Sequence, residues 1–209
     1  FYSFMRCAQR LTVDSDAGFR REGTEGPSGV FTARACKGAV HVRTGRSKDG
    51  RDVLHLLEWD GGQLKQVSRA TFTSETLAAI SALDTAIVLA TLIHELRQGK
   101  LQEREAMKLS ETAGLKVQIE LNIDAMSVLA SLAAAQLKQP TERSFLAHLA
   151  WLQSKLREGV LTKLRWVDTR DMWADGLTKG NVDRKALREL AQGRGTRAHG
   201  SQELVLSLI

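Results

Sequence analysis

The 209-residue sequence holds only two cysteines, Cys7 and Cys36. Two are too few for a disulfide framework or a zinc finger, so a reducing, intracellular setting is expected, cytoplasmic or nuclear. Aromatic residues make up 5% of the chain, too few for a stacking platform for single strands. Any nucleic-acid contact is therefore expected to run along the sugar-phosphate backbone. Long apolar runs are missing too: the most apolar stretch, Leu77 to Ile93, is broken by Ser81, Asp84 and Thr85. No membrane span or membrane partner is expected. The opening Phe1-Tyr2-Ser3-Phe4-Met5-Arg6 has neither the length nor the flanks of a secretory leader, which leads us to expect a piece of a longer coding unit, with Met5 as an alternative start. Internal repeats and low-complexity tracts are also absent.

What is present is enough apolar material for one substantial core, at 43% hydrophobic residues. Lys and Arg total 30 against 24 Asp and Glu, a formal net charge of +6. That excess favours polyanionic partners, although basic surface loops also serve solubility alone. It gathers at Arg34, Lys37, Arg43, Arg46, Lys48 and Arg51, again at Lys65 and Arg69, and in the tail at Arg194 and Arg197.

Residue patterning predicts a mixed α/β order. Leu11-Thr12-Val13 reads as a short strand stopping in the acidic, turn-forming Asp14-Ser15-Asp16-Ala17-Gly18. Ala39 to Arg43 and Val53 to Trp59 are β-rich, with Thr44 to Gly50 as a hairpin loop between them. Thr73 to Gln98 has helical spacing and ends at Gly99; Lys100 to Gly114 is helix-compatible. Leu115 to Ile123 alternates apolar and polar side chains and is predicted as a strand. Two helices follow, Ala125 to Lys138, closed by Pro140, and Thr141 to Glu158. A strand over Leu161 to Val167, a short helical turn from Asp171 and an amphipathic segment over Val182 to Gln192 complete the order. Such an order packs as a sheet flanked by helices. Trp59, Trp151, Trp166 and Trp173 are expected as core anchors, and His94 and His148 as core or interface residues on helix faces.

Four acids fall at the ends of these elements: Asp14, Glu75, Asp124 and Asp175. Gathered at one end of a sheet, they would need cations. Mg²⁺ suits such oxygen ligands, and two ions about 4 Å apart can activate a water and stabilise the leaving oxygen of a phosphodiester displacement. Each acid also has a structural reading: Asp14 as a turn residue, Glu75 as a helix-dipole partner, Asp124 as an N-cap and Asp175 as a surface acid. Asp16 is the alternative to Asp14, and Asp171 competes with Asp175.

Four blocks carry a family resemblance. They are Val13-Asp14-Ser15-Asp16-Ala17-Gly18; Leu57-Glu58-Trp59 with Gln66 to Ala79 around Thr73-Ser74-Glu75; Leu121-Asn122-Ile123-Asp124-Ala125-Met126-Ser127; and Val167-Asp168-Thr169 with Ala174-Asp175-Gly176-Leu177-Thr178-Lys179. In this order, over about residues 10 to 180, they resemble the ribonuclease H domain of copia-type retrotransposon polyproteins; the last block is the most specific. The resemblance implies a ribonuclease H-like fold, a five-stranded mixed sheet of order 3-2-1-4-5 flanked by helices. It implies an Asp-Glu-Asp-Asp tetrad at Asp14, Glu75, Asp124 and Asp175 binding two Mg²⁺, with Mn²⁺ as a substitute. The implied activity is hydrolysis of the RNA strand of an RNA:DNA hybrid, beside an upstream reverse transcriptase in the same polyprotein. Departures include Phe19 near the place of a family Trp and Ala125 where an Asn is usual. The segment Asp168 to Met172 holds no histidine, so no side-chain proton shuttle is assigned.

The expected layout is an N-terminal fragment end at 1–9, the ribonuclease H-like domain at 10–192 and a C-terminal tail at 193–209. Lys65, Arg69 and Lys179 are the candidate phosphate contacts. The alternative function is an inactive descendant of the same fold, a nucleic-acid-binding or structural module. An integrase- or resolvase-type core would need a carboxylate triad of different spacing, which the Ala174 to Lys179 block disfavours. Oligomeric state is left open.

Overall fold

The structure is a computed structural model that describes residues 10–21, 33–47, 52–66, 70–134, 145–180, 182–194 and 205–206. Six strands, β1 (Arg10–Arg21), β2 (Ala33–Arg46), β3 (Asp52–Gln63), β4 (Gln118–Ile123), β5 (Leu161–Trp166) and β6 (Val205–Leu206), form one sheet of order β3-β2-β1-β4-β5-β6. The first five stand in the mixed 3-2-1-4-5 arrangement expected. β1 runs antiparallel to β2 and parallel to β4, and β4 runs parallel to β5. The two-residue β6 adds an antiparallel edge, bringing part of the expected tail onto the sheet. The helices are α1 (Thr71–Gln98), α2 (Glu103–Glu111), α3 (Met126–Ala133), α4 (Leu146–Arg157), α5 (Asp175–Thr178) and α6 (Lys185–Ala191), with a 3-10 turn at Thr169–Asp171.

The sheet is dressed unequally. Leu11 and Val13 of β1, Ile119, Leu121 and Ile123 of β4, and Leu161 and Leu164 of β5 pack with α1, α3 and α4 in the main core. On the opposite face Val40 and Val42 of β2 meet Met172, Trp173, Ala174 and Leu190 in a smaller one. Period-two alternation explains the split: Val13, opposite His41 and Leu121, faces α1, while Asp14, opposite Val40 and Asn122, faces the second layer.

Several sequence expectations need correction. β1 does not stop at the acidic cluster but continues through it to Arg21. It lies between β2 and β4, and the acids that looked like turn formers find partners on β4 and in the layer above them. β4 begins at Gln118 rather than Leu115. α3 spans Met126–Ala133, shorter than the predicted helix; residues 135–144 lie outside the described set, as does the hairpin tip at 48–51. Glu75 sits in the second turn of α1, because that helix opens at Thr71.

Trp59, expected in the core, is 61% exposed on β3, the outer strand of the sheet, where it is incompletely covered. Trp173 is buried, and Trp151 and Trp166 are partly buried against the main core. α1 is long and apolar enough by composition to cross a bilayer, contrary to expectation. Here it packs across β1, β2 and β4, with Leu77, Leu83, Ala86, Ala90 and Ile93 buried. His94 is a core residue, accepting at Nδ1 from Lys116 N (3.1 Å).

Candidate metal centre

β1 and β4 are adjacent parallel strands from which the chain departs to opposite sides of the sheet. In open α/β sheets the crevice beyond the carboxyl ends of such a pair is the natural ligand site. Asp16 emerges there from β1 and Asp124 directly follows β4, while Asp175 opens α5 above them. Ligand oxygens of Asp16, Asp124 and Asp175 all lie within 4.8 Å of one another. Asp16 and Asp175 are buried and Asp124 is half-buried.

Each acid is positioned by its neighbours. Asp16 accepts from Thr178 Oγ1 of α5. Asp124 is held twice: Trp166 Nε1 donates to its carbonyl (2.8 Å), and Thr169 Oγ1 donates to Oδ2 (3.0 Å). Asp175 accepts at Oδ1 from Lys179 Nζ (2.8 Å), one turn further along. Glu75 flanks the trio. β1 pairs with β4 only as far as Ser15, opposite Ile123; beyond that point Ala17 N turns to Glu75 Oε2 at 3.1 Å.

The first acid that the structure brings to the trio is Asp16, the alternative; Asp14 does not join it. Two residues earlier on the same face, Asp14 lies roughly 6.6 Å further from the strand end. It accepts from Asn122 Nδ2 (2.8 Å) and from Trp173 N (3.1 Å), so it pins the link between the 3-10 turn and α5 to the sheet. Asp171 is buried but does not join the trio. Of the candidate phosphate contacts, Lys65 is exposed just past β3, Arg69 lies outside the described residues, and Lys179 is engaged within the carboxylate group.

Two residues that sequence reading missed shape the centre. Gly38, opposite Asp16 in β2, lies so close to α5 that an added Cβ would sit 2.8 Å from Thr178 Cγ2 and 3.0 Å from the carbonyl oxygen of Ala174. Gly18 meets the carbonyl oxygen of Thr178 at 3.2 Å in the same sense. Only strands bare of side chains at these points let α5 settle low enough to bring Asp175 and Thr178 to Asp16. Glycine inside a strand is the signal that could have found them.

The electrostatics are those of acids crowded away from water. Burial raises Asp16 from its ordinary value to about 7, against the Thr178 hydrogen bond and with help from the charge of Asp175. Burial, then the charges of Asp16 and Asp124, raise Glu75 to about 8. Burial also raises Asp175. Desolvation works to lower Lys179, but its hydrogen bond to Asp175 and the charges of Asp16 and Asp175 outweigh it and raise the ammonium. Asp16 and Glu75, lifted in this way, compete for protons near neutrality, and a cation can take the proton's place.

The donor set is all-oxygen and anionic, the set suited to hard divalent cations. The Lys179 ammonium seated on two of the carboxylates is a stand-in for such an ion. The centre can therefore hold a metal ion. Beside it a cavity of about 470 Å³ runs from Asp175 between the 3-10 turn and α6, with Arg170, Arg184 and Lys185 among its lining. Compared with known proteins, the chain matches no family model and no curated protein.

Proposed function

We propose that this chain is a ribonuclease H-like nuclease that hydrolyses the RNA strand of RNA:DNA hybrids. Its setting in this reading is a copia-type retrotransposon polyprotein, with a reverse transcriptase upstream, acting in the cytoplasm or nucleus. The reading is carried by the meeting of Asp16, Asp124 and Asp175, flanked by Glu75, at the carboxyl ends of two central parallel strands. The sheet order, the same as the resemblance implies, supports it further.

Asp16, Glu75, Asp124 and Asp175 would hold Mg²⁺, two ions in this reading, with Mn²⁺ able to substitute. Bound there, the metal supplies an activated water and neutralises charge on the leaving oxygen. The chain's own part is orientation: Thr178, Thr169 and the Trp166 indole fix the acids, and Ala17 N–H holds Glu75 toward them. Along the adjoining cavity Arg184 and Lys185, with Arg170 already paired to Asp168, stand among Asp171, Asp183 and Glu189 and bring cations within reach of a phosphate backbone. Choosing RNA over DNA requires sensing the 2′-hydroxyl across a wide, shallow minor groove.

The test is cleavage of an end-labelled RNA:DNA hybrid in Mg²⁺. Wild type is expected to cut the RNA strand internally and to leave the all-DNA duplex whole. Asp124→Asn should lower the rate by on the order of 100-fold or more while the circular dichroism spectrum is kept. A well-folded wild type that leaves the hybrid uncut ends the nuclease reading. Salt-dependent hybrid binding would then mark the chain as a binding module without catalysis.

A further inference from the structure

The metal centre has a cation of its own. Lys179 Nζ lies 2.8 Å from Asp175 Oδ1 and 3.6 Å from Asp16 Oδ1, bridging two of the three carboxylates. Asp16 is 1% exposed, whereas the lysine side chain is 36% exposed. The head is thus sunk among buried acids while the stem reaches solvent. The backbone fixes this placement: Lys179 follows the four-residue α5 and its N–H donates to Asp175 O at 2.9 Å. A lysine one turn after an acid is ordinarily a surface pair of little consequence. Here the second contact, to an acid 163 positions earlier in the chain, takes the ammonium out of that class.

We propose that Lys179 is a tethered counter-ion: in the metal-free protein its ammonium takes part of the room of a divalent ion, and metal binds only by displacing it. This rests on the metal-centre reading above. One ammonium brings a single charge to three carboxylates, so it lessens their repulsion without cancelling it. A divalent ion brings twice the charge and direct oxygen coordination, and it wins the exchange. The four-carbon stem allows the head to withdraw without moving α5. Lys179 therefore stabilises the protein before loading and weakens its affinity for metal by the same interaction, a linkage that must run in both directions.

Two measurements on the full chain test this, neither requiring activity. In the first, EDTA-stripped wild type, Lys179→Gln and Lys179→Arg are titrated with Mn²⁺, following free Mn²⁺ by electron paramagnetic resonance. The Gln variant is expected to bind about tenfold more tightly and to show a lower metal-free Tm. The Arg variant, which keeps the charge, should stay near wild type. In the second, wild type is treated with an amine-acylating reagent with and without Mg²⁺, and modification is read by mass spectrometry. Labelling of Lys179 should rise several-fold with metal while that of Lys65 stays constant. If wild type binds Mn²⁺ but Lys179→Gln binds no more tightly, or if Mg²⁺ leaves or lowers Lys179 labelling, the counter-ion assignment is overturned and the metal centre stands. If neither protein binds Mn²⁺, the metal centre itself is refuted, and the inference with it.

Discussion

Two buried charge clusters occupy the same face of the sheet, and they are built to opposite ends. Around Glu120, a β4 residue only 2% exposed, stand Arg165 at 3.0 Å, Lys163 at 3.5 Å and Arg10 at 3.8 Å. Near the carboxyl end of the same strand gather Asp16, Asp124 and Asp175, with Glu75 beside them, and Lys179 pairs with Asp16 and Asp175. In the first cluster three cations, two of them reaching solvent, surround one acid, so its negative charge is answered by the protein's own side chains. In the second the acids outnumber the cation: Asp16 is pushed up to about 7 by burial and the charges of Asp175 and Asp124, and Glu75 to about 8 by burial and the charges of Asp16 and Asp124. A buried carboxylate is therefore no sign of a site in itself. The imbalance between acids and the cations the chain supplies is what calls for a foreign ion.

The largest expected contrast follows from neutralising one acid in each cluster. Asp16→Asn should reduce hybrid cleavage by on the order of 100-fold or more and remove the Mg²⁺-induced rise in Tm. Glu120→Gln should leave that rise intact and lower stability by about 1–2 kcal/mol, a few degrees in Tm, because three cations lose their acid partner. Equal effects on the metal response would erase the distinction between the clusters.

The next effect reaches the site through packing alone. Gly38→Val puts a branched side chain where a single Cβ already meets Thr178 and the Ala174 backbone. It should lift α5, at a cost of about 1–3 kcal/mol, and weaken Mn²⁺ binding although no acid has changed. Unaltered Mn²⁺ affinity in a folded Gly38→Val would mean that the seat of α5 does not position Asp175.

The smallest expected effect is on pH dependence. Asp16 faces Asp175 and Lys179 from α5 and its flank, Asp124 from the end of β4 and Glu75 from α1. Asp16, Glu75 and Asp175 are raised in the folded state, so the native protein holds protons that the unfolded chain releases. The sign is then fixed: metal-free stability falls as pH rises from about 4 toward 8, and below about 4 both states are protonated and the difference vanishes. Thermal melts in EDTA should show Tm declining across this window, more shallowly in Asp16→Asn. A Tm that climbs over the same range in EDTA would contradict the crowding of these acids.

Legibility followed the range of the interactions. The long α1 and the strand order came through periodicity and the resemblance, because apolar spacing reports directly on which face is buried. Asp124 and Asp175 were readable as acids at element boundaries. The choice between Asp14 and Asp16 was not, since the two share a face of β1 and differ only in distance from its end. The two are told apart in the structure by their partners, Asn122 and Trp173 for Asp14 and Thr178 for Asp16, between 108 and 162 residues away in sequence. β1 itself was cut short for the same reason: Asp-Ser-Asp reads as a turn until partners in the layer above accept those acids. Trp59 was misplaced because aromatic content says nothing of how fully an outer strand is covered.

By itself the sequence determined the succession of strands and helices, the acids available at their ends and a supply of cysteine, two residues, too small for a zinc finger. Only the tertiary structure decided which acids meet, that two strand glycines bring α5 down to them, and that a lysine enters their midst. The physical reason is one of distance: periodicity and capping act within a few residues, whereas electrostatic crowding arises only when distant segments are packed together away from water.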